Sequence, residues 1–137
     1  MADQVKFELV SPERLLLSAE VDSVVIPGAE GDFGVLPGHS RLISTIRPGV
    51  ITVFQAGRAP DRIFVEGGFA EVTPQGCTVL AERATPVADI SRDQAAQAVQ
   101  DAKEDIEDAK DDVSKAEAVK ALALAEARMH AIEAPVY

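Results

Sequence analysis

The sequence predicts an antiparallel β-sandwich or barrel followed by a helical segment. All nine glycines lie at or before Gly76, whereas residues 87–134 contain neither glycine nor proline and are rich in alanine. Before that change in composition, strand-like runs are separated by turn signals roughly every 8–12 residues, which is typical of antiparallel sandwiches and barrels. No strand pattern alternates with a helical pattern, so a parallel α/β fold is not expected.

Eight apolar runs account for the predicted strands. In the first run, Val5, Phe7 and Leu9 alternate with polar residues, as in a half-buried strand. The eight runs occupy residues 5–9, 15–17, 21–26, 42–46, 50–54, 63–65, 69–72 and 77–81. The last strand is therefore expected at residues 77–81, and the glycine-rich segment 28–40 is expected to be a loop.

Two apolar stripes with helical spacing follow. Ser91 with Gln94 matches a capping box and precedes the first stripe, and Ser114 with Glu117 does the same for the second. The first stripe comprises Ala95, Ala98, Val99, Ala102, Ile106, Ala109 and Val113, and the second comprises Val119, Leu122, Ala125, Met129 and Ile132. One continuous helix of about 65 Å is compatible with this pattern. We favour two helices in a hairpin, weakly packed because the stripes are rich in alanine.

Charge and hydropathy argue against several classes of function. The 137 residues include 13 basic and 23 acidic ones, for a net charge of −10, which disfavours binding to nucleic acid or to an anionic membrane surface. No apolar run approaches the roughly 20 residues that a membrane-spanning helix needs, so direct membrane insertion is not expected. The two histidines and the single Cys77 are scattered, so no metal site is expected.

The glycine-rich segment 28–40 allows two interpretations. Its polar residues include Asp32, His39 and Ser40, which could form a catalytic group of a small hydrolase. No nucleophile-elbow pattern surrounds Ser40, and neither a dinucleotide fingerprint nor a phosphate-binding loop is present. We therefore favour a loop whose glycines permit close contact with another protein, and we expect no catalytic residues.

The chain resembles a known family over essentially its whole length, the epsilon subunit of bacterial F-type rotary ATP synthases. This subunit is the equivalent of the chloroplast epsilon and mitochondrial delta subunits. The resemblance rests on residues 10–13 (VSPE), 31–39 (GDFGVLPGH), 46–51 (IRPGVI), 67–72 (GGFAEV) and 79–82 (VLAE). It implies a β-sandwich of about ten antiparallel strands at 1–86 and a two-helix C-terminal domain at 87–137, which is mobile in many members.

The resemblance also implies a function and partners. In this family the subunit is a non-catalytic part of the central stalk, or rotor, and couples proton flow through the c ring to ATP synthesis. Its partners are the gamma subunit and the c-subunit ring, with the alpha and beta subunits reached through the C-terminal helices. The implied location is peripheral, on the cytoplasmic face of the bacterial inner membrane. By position, Glu30, Gly31 and Asp32 face the c ring, and Ser11, His39 and Ser40 face gamma.

Some family members bind ATP through a motif that opens the first helix. The matching residues here are Ile90, Ser91, Arg92, Asp93, Gln94 and Ala95. Ser91 stands in place of the motif's acidic residue and Gln94 in place of its arginine. Since an amide replaces a guanidinium poorly at a phosphate, we expect weak or absent ATP binding and no cofactor.

In the family, an extended form of the helices inhibits ATP hydrolysis through basic residues on the second helix. Here the basic residues of that helix are offset by acidic ones: Lys115, Lys120 and Arg128 against Glu117, Glu126 and Glu133. We therefore expect weak inhibition. The alternative function is a free-standing β-sandwich that binds proteins and carries a helical oligomerisation tail.

Overall fold

The computed structural model describes residues 3–134 and divides the chain into two compact units. The first unit ends at Pro86 and the second begins at Val87. This boundary lies where glycine and proline disappear from the sequence.

The first unit contains ten strands. They are β1 (Val5–Val10), β2 (Leu15–Val21), β3 (Ser23–Gly28), β4 (Gly31–Val35), β5 (Leu42–Ile46), β6 (Gly49–Phe54), β7 (Asp61–Val65), β8 (Gly68–Thr73), β9 (Gly76–Ala81) and β10 (Ala84–Pro86). The strand order is β10-β7-β6-β3-β5-β8-β9-β1-β2, and β4 pairs with β3. All pairs are antiparallel except β1 with β9. The predicted antiparallel sandwich of about ten strands is confirmed.

Alternating side chains of these strands form the core. Phe7, Ile26 and Ile51 have no exposed surface, and neither does Val79 on the strand parallel to β1. Burying an aliphatic or aromatic side chain of this size contributes about 1.5–3 kcal/mol, so the burial of these residues is a main source of stability.

Two strands differ from the sequence prediction. The last strand is β10, not residues 77–81, and it pairs with β7 through Ala84 and Val65. Three residues are too few to show an alternation, and Pro86 is tolerated because β10 is an edge strand. The segment 28–40 is also not a simple loop, because β4 occupies residues 31–35 and forms a hairpin with β3.

The second unit is a helical hairpin, as predicted. A short 3₁₀ turn (Val87–Asp89) leads to α1 (Arg92–Asp108), and α2 (Asp112–Glu133) follows. The Ser91 side chain caps α1 by accepting a hydrogen bond of 3.2 Å from the Gln94 backbone N–H. The α1 cap is therefore confirmed.

The predicted cap of α2 is wrong. Asp111 is the capping residue, and its Oδ1 accepts a 2.7 Å hydrogen bond from the backbone N–H of Ser114. Ser114 therefore lies within the first turn of the helix. Both residue types suit an N-cap, and the carboxylate also interacts favourably with the positive end of the helix dipole. The hydrogen bond lowers the pKa of Asp111.

The buried residues of both helices are alanines: Ala95 and Ala102 in α1, and Ala118, Ala125 and Ala131 in α2. The predicted stripes are wrong at Val113 and Val119, which are 70% and 50% exposed. Ala118 takes the place of Val119, because the sequence 118, 122, 125, 129, 132 keeps a strict alternation of four and three residues.

Gly31 provides a test of the hairpin between β3 and β4. Its φ of +139° is rarely adopted by other residues, whereas a Cβ there would have nothing within 4 Å. Gly31→Ala should therefore lower the free energy of unfolding by about 1–2 kcal/mol through backbone strain alone. Urea unfolding of the full chain, followed by circular dichroism, measures this change.

Gly34→Ala is the matched control. Gly34 lies in the same strand, also has open space around its Cβ position, and is not among the glycines with positive φ. Its substitution should change stability by less than about 0.5 kcal/mol. Equal effects of the two substitutions would contradict the strain at Gly31.

Candidate protein-contact surface

The strand register places the turns of the sandwich at two opposite ends. One end, here the hairpin end, holds the turns at residues 11–14, 29–30, 47–48, 66–67 and 82–83. The pairs Gly28–Ile46, Ile46–Gly68 and Gly68–Ala81 place these turns side by side. The other end, here the His39 end, holds residues 36–41, 55–60 and 74–75.

The hairpin end is shaped by the tight turn between β3 and β4. Gly28 pairs with Gly31, which leaves only Ala29 and Glu30 in the turn. Two-residue hairpin turns usually need positive φ angles, but no described residue other than glycine has one. Gly31 therefore takes up the reversal of the chain, and Glu30 is left exposed at the tip.

Arg47 ties this hairpin to the end of β5. Its Nη1 donates a 2.6 Å hydrogen bond to the Gly28 carbonyl, and its Nη2 lies 2.5 Å from Oδ1 of Asp32. The Arg47 backbone N–H also donates to the Pro27 carbonyl at 3.0 Å. Asp32, one of the three residues expected to face a ring, is thus an ion-pair partner within its own subunit.

His39 lies at the opposite end and is half-buried. Its Nδ1 is 2.6 Å from the Ser40 carbonyl, so Nδ1 carries the proton and donates. The loop is fixed to the turn between β8 and β9, because the Gly38 N–H donates to the Pro74 carbonyl at 3.3 Å. Ser40 is exposed beside it.

The structure does not assemble the catalytic group considered for the glycine-rich segment. Asp32 begins β4 at the hairpin end, whereas His39 and Ser40 follow that strand at the other end. Three residues of extended chain, about 10 Å, separate Asp32 from the end of β4 at Val35. The carboxylate and the imidazole are each engaged with other groups.

Ser11 is also separated from His39 and Ser40. It opens the turn between β1 and β2, where its Oγ donates to the Arg14 carbonyl at 3.2 Å. Val10 pairs with Leu80, which places Ser11 at the hairpin end. The three residues expected to face one partner therefore lie at the two ends of the same sheet layer.

Between them lies an exposed apolar face, here the outer surface, defined by Ile43, Phe69 and Leu80. These side chains are 72%, 55% and 45% exposed, and they stand on neighbouring strands β5, β8 and β9. Phe69 pairs directly with Leu80. This surface is not among the sequence predictions, although Phe69 lies two residues from Glu71 on the same strand and should therefore face outward with it.

Two open depressions flank Glu71 on the same layer. One, of about 410 Å³, is lined by Arg41, Leu42, Ile43, Glu71, Val72 and Thr73. The other, of about 140 Å³, is lined by Lys6, Glu8, Glu71, Thr73, Gln75, Gly76, Cys77 and Thr78. An apolar strip bordered by charged residues and shallow depressions is typical of a protein-binding surface.

The residues matching the nucleotide motif serve the helical hairpin. Ser91 is occupied as the cap of α1, and Nη1 of Arg92 lies 3.4 Å from Oε1 of Glu133 on α2. Ile90 is half-buried and Ala95 is buried, whereas Asp93 and Gln94 are exposed. The one guanidinium in the motif is thus engaged with a carboxylate.

Other kinds of site find no support in the part of the chain that the structure describes. Within residues 3–134, no three His, Cys, Asp or Glu side chains are grouped to hold a metal ion. Burial raises the pKa of the Cys77 thiol to about 12, which keeps it protonated and unreactive. Over the same residues, no helix is both long and apolar enough to cross a membrane.

Comparison with known proteins identifies the family. Residues 4–87 match the model of the ATP synthase delta/epsilon chain β-sandwich domain. The ATP synthase epsilon chain of Rhodospirillum rubrum is 50% identical over 131 residues, covering 96% of this chain and 98% of the relative. That of Parvibaculum lavamentivorans is 60% identical over 90 residues, covering 66% and 68%.

Solved structures with a similar fold also come from ATP synthases. A chain in the mitochondrial ATP synthase of Euglena gracilis (OSCP, F1 and c ring) has a TM-score of 0.83 at 25% identity, covering 90% of this chain and 78% of that chain. A chain in the central stalk and c ring of the Tetrahymena thermophila mitochondrial ATP synthase has the same fold, with a TM-score of 0.66 at 14% identity over 96% and 99% of the two chains. The sandwich, the helical hairpin and these matches establish that the chain belongs to the family of ATP synthase epsilon chains.

Proposed function

We propose that this chain is a non-catalytic rotor subunit in the central stalk of an F-type ATP synthase. It couples proton flow through the c ring to ATP synthesis in the catalytic head. The observation that carries the proposal is the 50% identity to an epsilon chain across nearly the whole of both proteins. The separation of Asp32 from His39 supports a role through contact and not through chemistry.

The outer surface is the proposed binding site for gamma. It lies between Ser11 at one end and His39 and Ser40 at the other, so one partner lying along the sheet can reach all three. Burying an apolar side chain such as Ile43 or Phe69 contributes about 1.5–3 kcal/mol, which is ample for a central contact. Charged groups around Glu71 would then set the register.

The tip of the β3–β4 hairpin is the proposed contact with the c ring. Glu30 lies exposed in a turn that projects from the hairpin end, and Gly31 and Asp32 follow it. Because Arg47 offsets the charge of Asp32, Glu30 supplies the acidic group at the tip. A ring surface with basic or polar loops would complement it.

A close-packed core suits the transmission of torque between these contacts. Fully buried side chains such as Phe7 and Ile51 leave the sandwich little freedom to deform. The proposed location is the cytoplasmic face of the bacterial inner membrane, where the subunit is held by gamma and the ring. The alpha and beta subunits are reached through the C-terminal helices.

Substitution of Ile43 tests the gamma contact. Ile43→Asp places a charge within the outer surface, where it would be desolvated on binding. We expect affinity for purified gamma subunit, measured by calorimetry, to fall at least about tenfold, which corresponds to 1.4 kcal/mol. Val113→Asp is the matched control, since Val113 is equally exposed, at 70% against 72%, but lies on α2. Equal affinities of both variants would contradict the proposed surface.

Calorimetric titration with ATP tests the nucleotide motif. We expect no binding at micromolar concentrations, because Gln94 cannot provide the charge of a guanidinium and Arg92 is engaged with Glu133. The double variant S91D/Q94R restores the motif residues and should bind ATP more tightly. Micromolar affinity of the natural sequence would refute this prediction.

Removal of residues 88–137 tests inhibition by the helices. Since the charges of the second helix nearly cancel, the truncated subunit should leave the ATPase activity of the assembled complex within about twofold of that with the full chain. Steady-state hydrolysis by both complexes, prepared in parallel, gives the comparison. A many-fold rise on truncation would show that inhibition is strong.

A further inference from the structure

We infer that Arg47 is a positioning residue that holds the ring-facing hairpin in its working orientation. The inference rests on the proposed contact between the hairpin tip and the c ring. Arg47 itself is not placed in that contact. It acts through Gly28 and Asp32, the residues on either side of the turn.

The contacts of Arg47 join three strands at one point. Arg47 follows β5, its Nη1 donates to the last carbonyl of β3 at Gly28, and its Nη2 pairs with Asp32 on β4. Backbone hydrogen bonds also anchor β3, from Arg47 to Pro27 and from Ala29 to Thr45 at 2.9 Å. These backbone bonds reach no further than Ala29, the first turn residue, whereas the guanidinium contacts both sides of the turn.

The turn needs such a restraint because Gly31 directly follows it. Gly28 is closely packed, but Gly31 has open space around it and gives the backbone more conformational freedom than any other residue would. A planar guanidinium with two bonded nitrogens restricts that freedom, since it fixes the distance between a β3 carbonyl and a β4 carboxylate. Glu30 lies between these two fixed points.

The exposure of the Arg47–Asp32 ion pair indicates that it orients the hairpin and does not stabilise the fold. The side chains of Arg47 and Asp32 are 42% and 37% exposed, and ion pairs this accessible contribute little to folding. The largest fully buried side chains, such as Phe7 and Ile51, lie on other strands. Loss of the guanidinium should therefore disturb the orientation of the tip far more than the fold.

Lysine cannot replace arginine in this role. Its ammonium is a single point charge, and it lacks the rigid fork that reaches two acceptors at once. Arg47→Lys should therefore keep the charge and lose much of the orientation. Arg47→Gln loses both.

The experiment uses the assembled complex in vesicles with the subunit replaced by variants. The readout is the ratio of ATP-driven proton pumping to ATP hydrolysis. We expect Arg47→Gln to lower this ratio about fivefold, because losing a hydrogen bond worth about 1 kcal/mol changes the equilibrium between correctly and incorrectly oriented tips by that factor. Arg47→Lys should lower the ratio less. Arg58→Gln is the matched control, because the Arg58–Asp61 pair is equally a surface pair but lies at the His39 end. It should leave the ratio unchanged.

Amide hydrogen exchange of the isolated subunit separates positioning from unfolding. Arg47→Gln should speed exchange at Ala29 and its neighbours in the turn while the core strands keep their protection. Unchanged exchange in the turn, or a general loss of protection, would overturn the positioning role.

Glu30→Gln distinguishes this inference from the proposed function. If Glu30→Gln lowers the pumping ratio and Arg47→Gln does not, the ring contact holds and the inference is wrong. If neither substitution changes the ratio, the ring contact itself is wrong. A reduced ratio for both, with intact protection in the core, supports the inference.

Discussion

Close packing at Gly28 is the constraint on which the rest of the sandwich depends. There β3 turns into β4 through Gly31 and meets β5 through a single pair with Ile46. A Cβ on Gly28 would lie 2.8 Å from the Gly31 carbonyl oxygen and 2.9 Å from the ring of Phe33. Because β5 begins the second half of the strand order, Gly28 lies both where the two halves of the sheet meet and at the base of the hairpin tip.

Strand β5 connects the two proposed contact surfaces. Ile43 stands on its outer side, and Arg47 follows its end, four residues or about 13 Å further along. The guanidinium contacts of Arg47 and the covalent chain of β5 thus form a continuous connection from the base of the hairpin to the outer surface. The ladder with β8 supports β5 over its whole length, from Leu42 to Ile46. A short strand that is hydrogen-bonded along its whole length has little freedom to bend, which suits a part that transmits torque.

The sequence predicts the features that depend on local periodicity and misses those that depend on distant partners. Eight of the ten strands and both helices follow from the apolar runs between turn signals and from helical spacing. Strand β4 is not predicted because Gly31, Asp32 and Gly34 are residue types typical of loops, and only pairing with β3 makes this segment a strand. Arg47 and Asp32 are 15 residues apart in the sequence, so no local pattern predicts that they form an ion pair. For α2, Asp111 and Ser114 both suit an N-cap, so only the structure decides between them.

The break between the two helices is likewise not imposed by any local sequence signal such as glycine or proline. The backbone at Ala109 (φ −64°, ψ 131°) and at Asp111 (φ −143°, ψ 169°) is extended and open to any residue, so no glycine or proline imposes the break. The Asp111 cap favours a helix that starts at residue 112, by about 1 kcal/mol. The buried residues of both helices are alanines, which bury little area. The break between α1 and α2 therefore depends on one cap and a thin interface, and the second unit is held together far less strongly than the sandwich.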